Sequence, residues 1–143
     1  MANLALSLAL ALVAAPAVAS EAKQTPFSHR RHAPLKLKCA VCHRAADKQE
    51  RAGFPTLAEC RSCHVDMTGR SIPAVRVYRV ADFVNFSHAA HLAGKAECRD
   101  CHGDVFKQDT LTIERPPTMV ACVACHKERK ATLVCNACHE LGQ

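Results

Sequence analysis

Hydrophobic and polar positions along this chain predict short elements rather than one periodic core. An apolar stretch runs from Leu4 to Ala15, too short to span a bilayer. It has no polar face, unlike an amphipathic core helix. It ends in Ala17-Val18-Ala19, a small-residue cleavage signal that makes Ser20 the expected mature start. Residues 1–19 therefore read as an export signal peptide whose only positive charge is the amino terminus. Val75-Arg76-Val77-Tyr78 and Phe83-Val84-Asn85-Phe86 read as two short strands, predicting a small β-hairpin within residues 71–85. Elsewhere the pattern predicts short helices and irregular loops. Pro34, Gly53, Gly69, Pro73, Gly94 and Pro116-Pro117 interrupt anything longer. The expected fold class is mainly α and irregular, with little regular secondary structure.

Length and composition narrow this picture. The 143 residues hold one compact domain or two very small ones. From Ser20 onward, Ile, Leu, Val and Phe make up 24 of 124 residues, about 19%, with no Trp. Chains that poor in apolar residues are ordinarily disordered. Small domains with thin cores need a disulfide, a metal or another staple. The missing apolar volume has to come from something bound.

The cysteines identify it. All ten fall in five copies of one pentapeptide: Cys39-Ala-Val-Cys42-His43, Cys60-Arg-Ser-Cys63-His64, Cys98-Arg-Asp-Cys101-His102, Cys122-Val-Ala-Cys125-His126 and Cys135-Asn-Ala-Cys138-His139. Cys-x-x-Cys-His is the attachment signature of c-type haem. Two thiols three residues apart on one turn form thioethers to the two haem vinyl groups, and the next residue sets an imidazole under the iron. Disulfides suit an exported chain, but they do not require a His after every pair. Structural zinc takes four Cys or His ligands, usually from two separated pairs, and does not require it either. Five covalent haems are expected, with no cysteine left for a lipid anchor.

Five haems have ten axial positions, and the motif histidines His43, His64, His102, His126 and His139 fill five. Four histidines remain. They occur as Phe27-Ser28-His29-Arg30-Arg31-His32 and Phe86-Ser87-His88-Ala89-Ala90-His91, each separated by six residues from the next haem motif. Positions i and i+3 are neighbours on a helix, so each pair can reach two adjacent irons.

This spacing exposes an internal repeat. The first unit, within 20–70, holds a His pair, a haem motif, sixteen residues and a second motif. The second, 86–143, has nineteen residues at that gap and then a third motif. Pro55-Thr56-Leu57 aligns with Pro117-Thr118-Met119. The expected organisation is a signal peptide (1–19), a dihaem unit (20–70), a connecting hairpin (71–85) and a trihaem unit (86–143).

The Phe-x-His-x-x-His segment followed by closely spaced Cys-x-x-Cys-His motifs resembles the class III multihaem cytochromes, the small cytochrome c7 and c3 group. The run Arg76-Val77-Tyr78-Arg79 through Asp82-Phe83-Val84 into Phe86-Ser87-His88, then Cys101-His102-Gly103, is also similar to the pentahaem subunit of alternative complex III and its relatives, which serve membrane quinone-oxidising complexes. The resemblance implies a haem-filled fold, a periplasmic location and electron transfer. Carried over by position, it pairs His29 with His43, His32 with His64, His88 with His102, and His91 with His126. The spacing alone also admits crossed pairings. The unmatched haem is then the fifth. In trihaem relatives its ligand comes from just before the second motif of the unit, where this chain has Met119. Met67 is the other candidate methionine, without a matching slot.

Nineteen basic and thirteen acidic side chains give a formal charge of +6. Basic runs can recruit nucleic acid or anionic lipid, but the haem propionates account for this excess locally, and no nucleic-acid partner is expected. A steering patch for an acidic redox protein is the sharper reading. Irons with two protein ligands change oxidation state without an open position for substrate, so an electron carrier is expected. Its partners would be redox proteins or a membrane quinone-oxidoreductase complex, and it would have no membrane anchor of its own. A haem reductase of a small oxyanion would use the one unmatched haem.

Overall fold

The computed structural model describes residues 27–67 and 75–140; the expected signal peptide lies outside them. Six short helices follow in order: α1 His29–His32, α2 Leu57–Arg61, α3 His88–Ala93, α4 Cys98–His102, α5 Met119–Glu128 and α6 Cys135–Cys138. Single 3-10 turns occur at Ala33–Leu35, Cys39–Val41 and Val105–Lys107. Only α5 reaches ten residues. Among the described residues, no helix is long and apolar enough to cross a membrane.

The repeated sequence produces repeated caps. Ser28 and Ser87 are extended N-cap residues whose hydroxyls accept from Arg31 N and Ala90 N, each at 3.2 Å. This satisfies one of the free amides at a helix start. Phe27 and Phe86 precede these caps. Each stacks on the histidine of the first turn's end, Phe27 on His32 at 4.8 Å and Phe86 on His91 at 4.5 Å, in the manner of a hydrophobic staple. Thr56 and Thr118 cap α2 and α5. Leu57 and Met119 are therefore equivalent first helical residues.

The expected β-hairpin is absent among the described residues. Val84 forms only an isolated antiparallel bridge, and its partner is His139. The two apolar segments pair elsewhere instead of with each other. Asn85 N donates to Cys138 O at 2.8 Å and Glu140 N to Phe83 O at 3.2 Å. Tyr78 sets its hydroxyl against Glu114 N at 3.1 Å and its ring against His102 at 4.5 Å. A lone two-stranded hairpin is marginal in water, and here the attachment motifs take up its hydrogen-bonding groups.

No hydrophobic side chain is buried among the described residues; the one buried side chain is Ser28, 5% exposed. Val65 and Val120 are nearly 80% exposed. A chain of this kind cannot meet the entropy of folding from its own apolar burial.

Candidate haem sites

Each Cys-x-x-Cys-His motif closes one helical turn. His43 N, His64 N and His139 N each donate 2.9 Å to the carbonyl of the first cysteine of their motif. The third motif forms α4, the fourth lies inside α5, and the fifth is α6 and the residue after it. All ten cysteine side chains are exposed or half-buried. Gly103 follows the third motif at φ +66° and ψ −156°, a region open essentially to glycine. The Glu114 carboxylate occupies the place a Cβ would take.

The remaining histidines meet the motif histidines ring to ring. Ring centres are 6.4 Å apart for His29 and His43, 6.1 Å for His32 and His64, 6.3 Å for His88 and His102, and 6.0 Å for His91 and His126. A metal between two trans imidazoles, at bonds of about 2.0–2.1 Å, puts the ring centres about 6.3 Å apart. The residues present fit an iron in each gap. His29 and His43 lie 16° from parallel and His88 and His102 only 3°, whereas the other two pairs are rotated by 68° and 56°.

Hydrogen bonds fix the rings from behind. Nδ1 of His32 and of His91 donates to the carbonyls of Ser28 and Ser87, at 2.9 and 2.7 Å. His43 Nδ1 uses Gly53 O at 2.9 Å, His88 Nδ1 uses Glu50 O at 2.7 Å, and His126 Nδ1 uses Thr132 O at 2.6 Å. A carbonyl only accepts, so these five rings carry the proton on Nδ1 and keep the Nε2 lone pair for a metal. Burial, then the neighbouring imidazoles of His43, His32 and His102, hold His29 below the ordinary histidine pKa. Burial, then His88 and His43, do the same for His102. Both effects favour the neutral ring that binds metal.

The thiols are pushed the other way. Burial raises Cys42, Cys98, Cys101 and Cys122, followed in each case by a cysteine of another motif: Cys60 for Cys42, Cys39 for Cys98, Cys125 for Cys101 and Cys138 for Cys122.

His139 stands apart. Its ring lies 5.7 Å from Phe83, and its Nδ1 is buried without a partner among the described residues. Met119 sits at the start of α5, 67% exposed. Met67 closes the turn after the second motif, its amide donating 3.0 Å to His64 O. Tyr78 and Phe83 escaped the sequence reading as haem-site residues. Their signal was scarcity, because the chain has one Tyr and five Phe, and four of those six rings lie against histidines.

The family model described as "Cytochrome c3" matches residues 31–111, more than half of the chain. The chain belongs to the cytochrome c3 family. A second model, "Cytochrome c7 and related cytochrome c", matches residues 84–140 of this class III multihaem cytochrome. The chain is also similar to the multihaem cytochrome c subunit of menaquinone reductase from Nitratidesulfovibrio vulgaris. That protein is 27% identical over 157 residues, which cover 80% of this chain and 75% of the relative. Members of the two families carry electrons on covalently bound haem c and are not enzymes. This cytochrome is accordingly an electron-transport protein.

Proposed function

We propose that this cytochrome is a periplasmic pentahaem carrier, with residues 1–19 as its export signal, 20–70 as a dihaem unit and 86–143 as a trihaem unit. The single observation that carries the ligand assignment is the near-constant 6.0–6.4 Å separation of four imidazole pairs. The haem irons, when bound, supply one-electron redox couples.

The protein does the rest. Cys39 and Cys42, Cys60 and Cys63, Cys98 and Cys101, Cys122 and Cys125, and Cys135 and Cys138 anchor the groups covalently. His29 with His43, His32 with His64, His88 with His102 and His91 with His126 would each hold one iron between two imidazoles, which would leave no place there for substrate. Main-chain carbonyls behind five of these rings make them stronger donors. Met119 would supply the tenth ligand, to the haem that His139 holds. A thioether ligand raises the potential, so the fifth site is the terminal electron store.

The likeness to a menaquinone reductase subunit supports a membrane quinone-oxidoreductase complex as the partner. The test is intact mass of the holoprotein combined with a potentiometric titration followed optically. Five haems and an overwhelmingly low-spin spectrum are expected. Fewer haems, or several sites taking up carbon monoxide when reduced, would overturn the assignment. Electrons should pass between the cytochrome and the quinone pool, in one direction or the other, in the presence of its native membranes and fail to do so without them.

A further inference from the structure

The two units carry the same residues at a constant offset of 59: Phe27 and Phe86, His29 and His88, Cys39 and Cys98, Gln49 and Gln108. The contacts between the units obey the same offset, exchanged. Ala89 N, in the second unit, donates to Gln49 O in the first at 3.1 Å. Arg30 N, the counterpart of Ala89, donates to Gln108 O, the counterpart of Gln49, also at 3.1 Å. Each histidine-bearing helix thus docks on the loop that follows the other unit's first motif. At one end of this joint Glu50 O receives both His88 N at 3.0 Å and His88 Nδ1 at 2.7 Å. At the other, Asp109 takes Ser28 Oγ at 2.8 Å and Arg30 Nη1 at 3.2 Å.

We propose that the units join about a pseudo-twofold axis that sets the first and third attachment sites side by side, so that the five sites run in space as second, first, third, fourth, fifth. This rests on the pentahaem reading above and adds an order that the chain itself does not follow, since in sequence the third site comes straight after the second.

Three of the four neighbour relations have their own contact, and the fourth rests on a short connection. His29 and His32 share α1, which puts the first site beside the second, and Arg44 reaches Glu59 at 3.5 Å between them. The reciprocal amide bonds join the first site to the third. His88 and His91 share α3, and Arg129 clamps α5 to α4 through Asp100 at 2.6 Å. Only eight residues separate the fourth motif from the fifth. The angles obey the same symmetry, with near-parallel rings at the first and third sites and crossed rings at the second and fourth.

Proton NMR of the fully reduced holoprotein tests this directly, because each haem is assigned through its own thioether bridges. Cross-peaks should join the haem on Cys39 and Cys42 to the haem on Cys98 and Cys101. Cross-peaks from the Cys60 and Cys63 haem to the third site, or none between the first and third, would overturn the order. A second measurement uses His29→Ala and His32→Ala, each leaving one high-spin iron that broadens its neighbours' lines. His29→Ala should broaden the third haem, and His32→Ala should broaden the first and spare the third; the reverse pattern refutes the proposal. If His32→Ala leaves its own haem low-spin, the ligand assignment of the pentahaem reading fails at that residue, and the wild-type cross-peaks still decide the order.

Discussion

Ser28 and Ser87 occupy equivalent positions, yet the structure asks more of Ser28. Both hydroxyls cap a histidine-bearing helix, and losing such a cap costs about 1 kcal/mol, within a range of about 0.5–2. Ser28 is also 5% exposed and donates to the Asp109 carboxylate at 2.8 Å. A hydrogen bond to a charged group is worth about 1.5–3 kcal/mol. The lower end applies, because Asp109 is 57% exposed and keeps Arg30 and water as partners. Ser87→Ala should therefore cost about 1 kcal/mol and Ser28→Ala about 2.5 kcal/mol. Urea unfolding of the two holoproteins, followed by circular dichroism at unchanged slope, should separate their midpoints by about 0.5–1.5 M. On heating, Ser28→Ala should lose low-spin character first at the sites served by His29 and His32. Asp109→Ala should add less to Ser28→Ala than it does to the wild type, since the two share one interaction. Equal midpoints for the two serine variants would refute the reasoning, because the cross-unit bond would then contribute nothing.

Four further outcomes are expected. Cys60→Ala/Cys63→Ala should be strongly destabilised or degraded, because no apolar side chain is buried without haem among the described residues; cooperative melting of a haem-free chain would contradict this. His88→Ala should keep all five haems by mass while converting one from low-spin to high-spin, and an unchanged spectrum would remove its ligand role. Near-parallel axial rings split the iron d orbitals and crossed rings leave them nearly degenerate. Electron paramagnetic resonance of the oxidised protein should therefore contain two rhombic signals and two with a single very large g value, and a single class of signal would contradict the ring angles. Met119→Leu should abolish a His/Met near-infrared charge-transfer band and lower the highest potential; if the wild type has no such band, Met119 only packs.

The attachment motifs and the paired histidines are legible in the sequence because each is a local pattern within about one helical turn, and the repeat is legible as their recurrence 59 residues on. Ser28 and Ser87 as caps belong to the same class. The hairpin at 71–85 was misread for the opposite reason. Val84 and Phe83 have strand-like surroundings, but their partners are Cys138, His139 and Glu140, more than fifty residues away. Alternation reports that backbone wants to be extended, not what it will pair with. The Glu50 carbonyl behind His88 is likewise invisible in sequence, since any residue at that position offers the same carbonyl.

The fifth site shows how such unreadable contacts set chemistry. At least one ring in each of the four histidine pairs is backed by a main-chain carbonyl, whereas His139 Nδ1 is buried without a partner among the described residues. An imidazole lacking that acceptor donates less charge to a metal. Its neighbours are the Phe83 ring and the backbone of residues 83–85. Less donation destabilises the oxidised iron and moves the potential upward. On the pentahaem reading, a thioether from Met119 pushes the same way. The two effects are separable, because one acts through each axial ligand. Met119→Leu would remove the thioether and leave the unpartnered imidazole, so the fifth potential should fall yet stay above those of the bis-histidine sites. The site at the far end of the proposed order is thus raised from both faces, and electrons entering elsewhere along the chain would collect there.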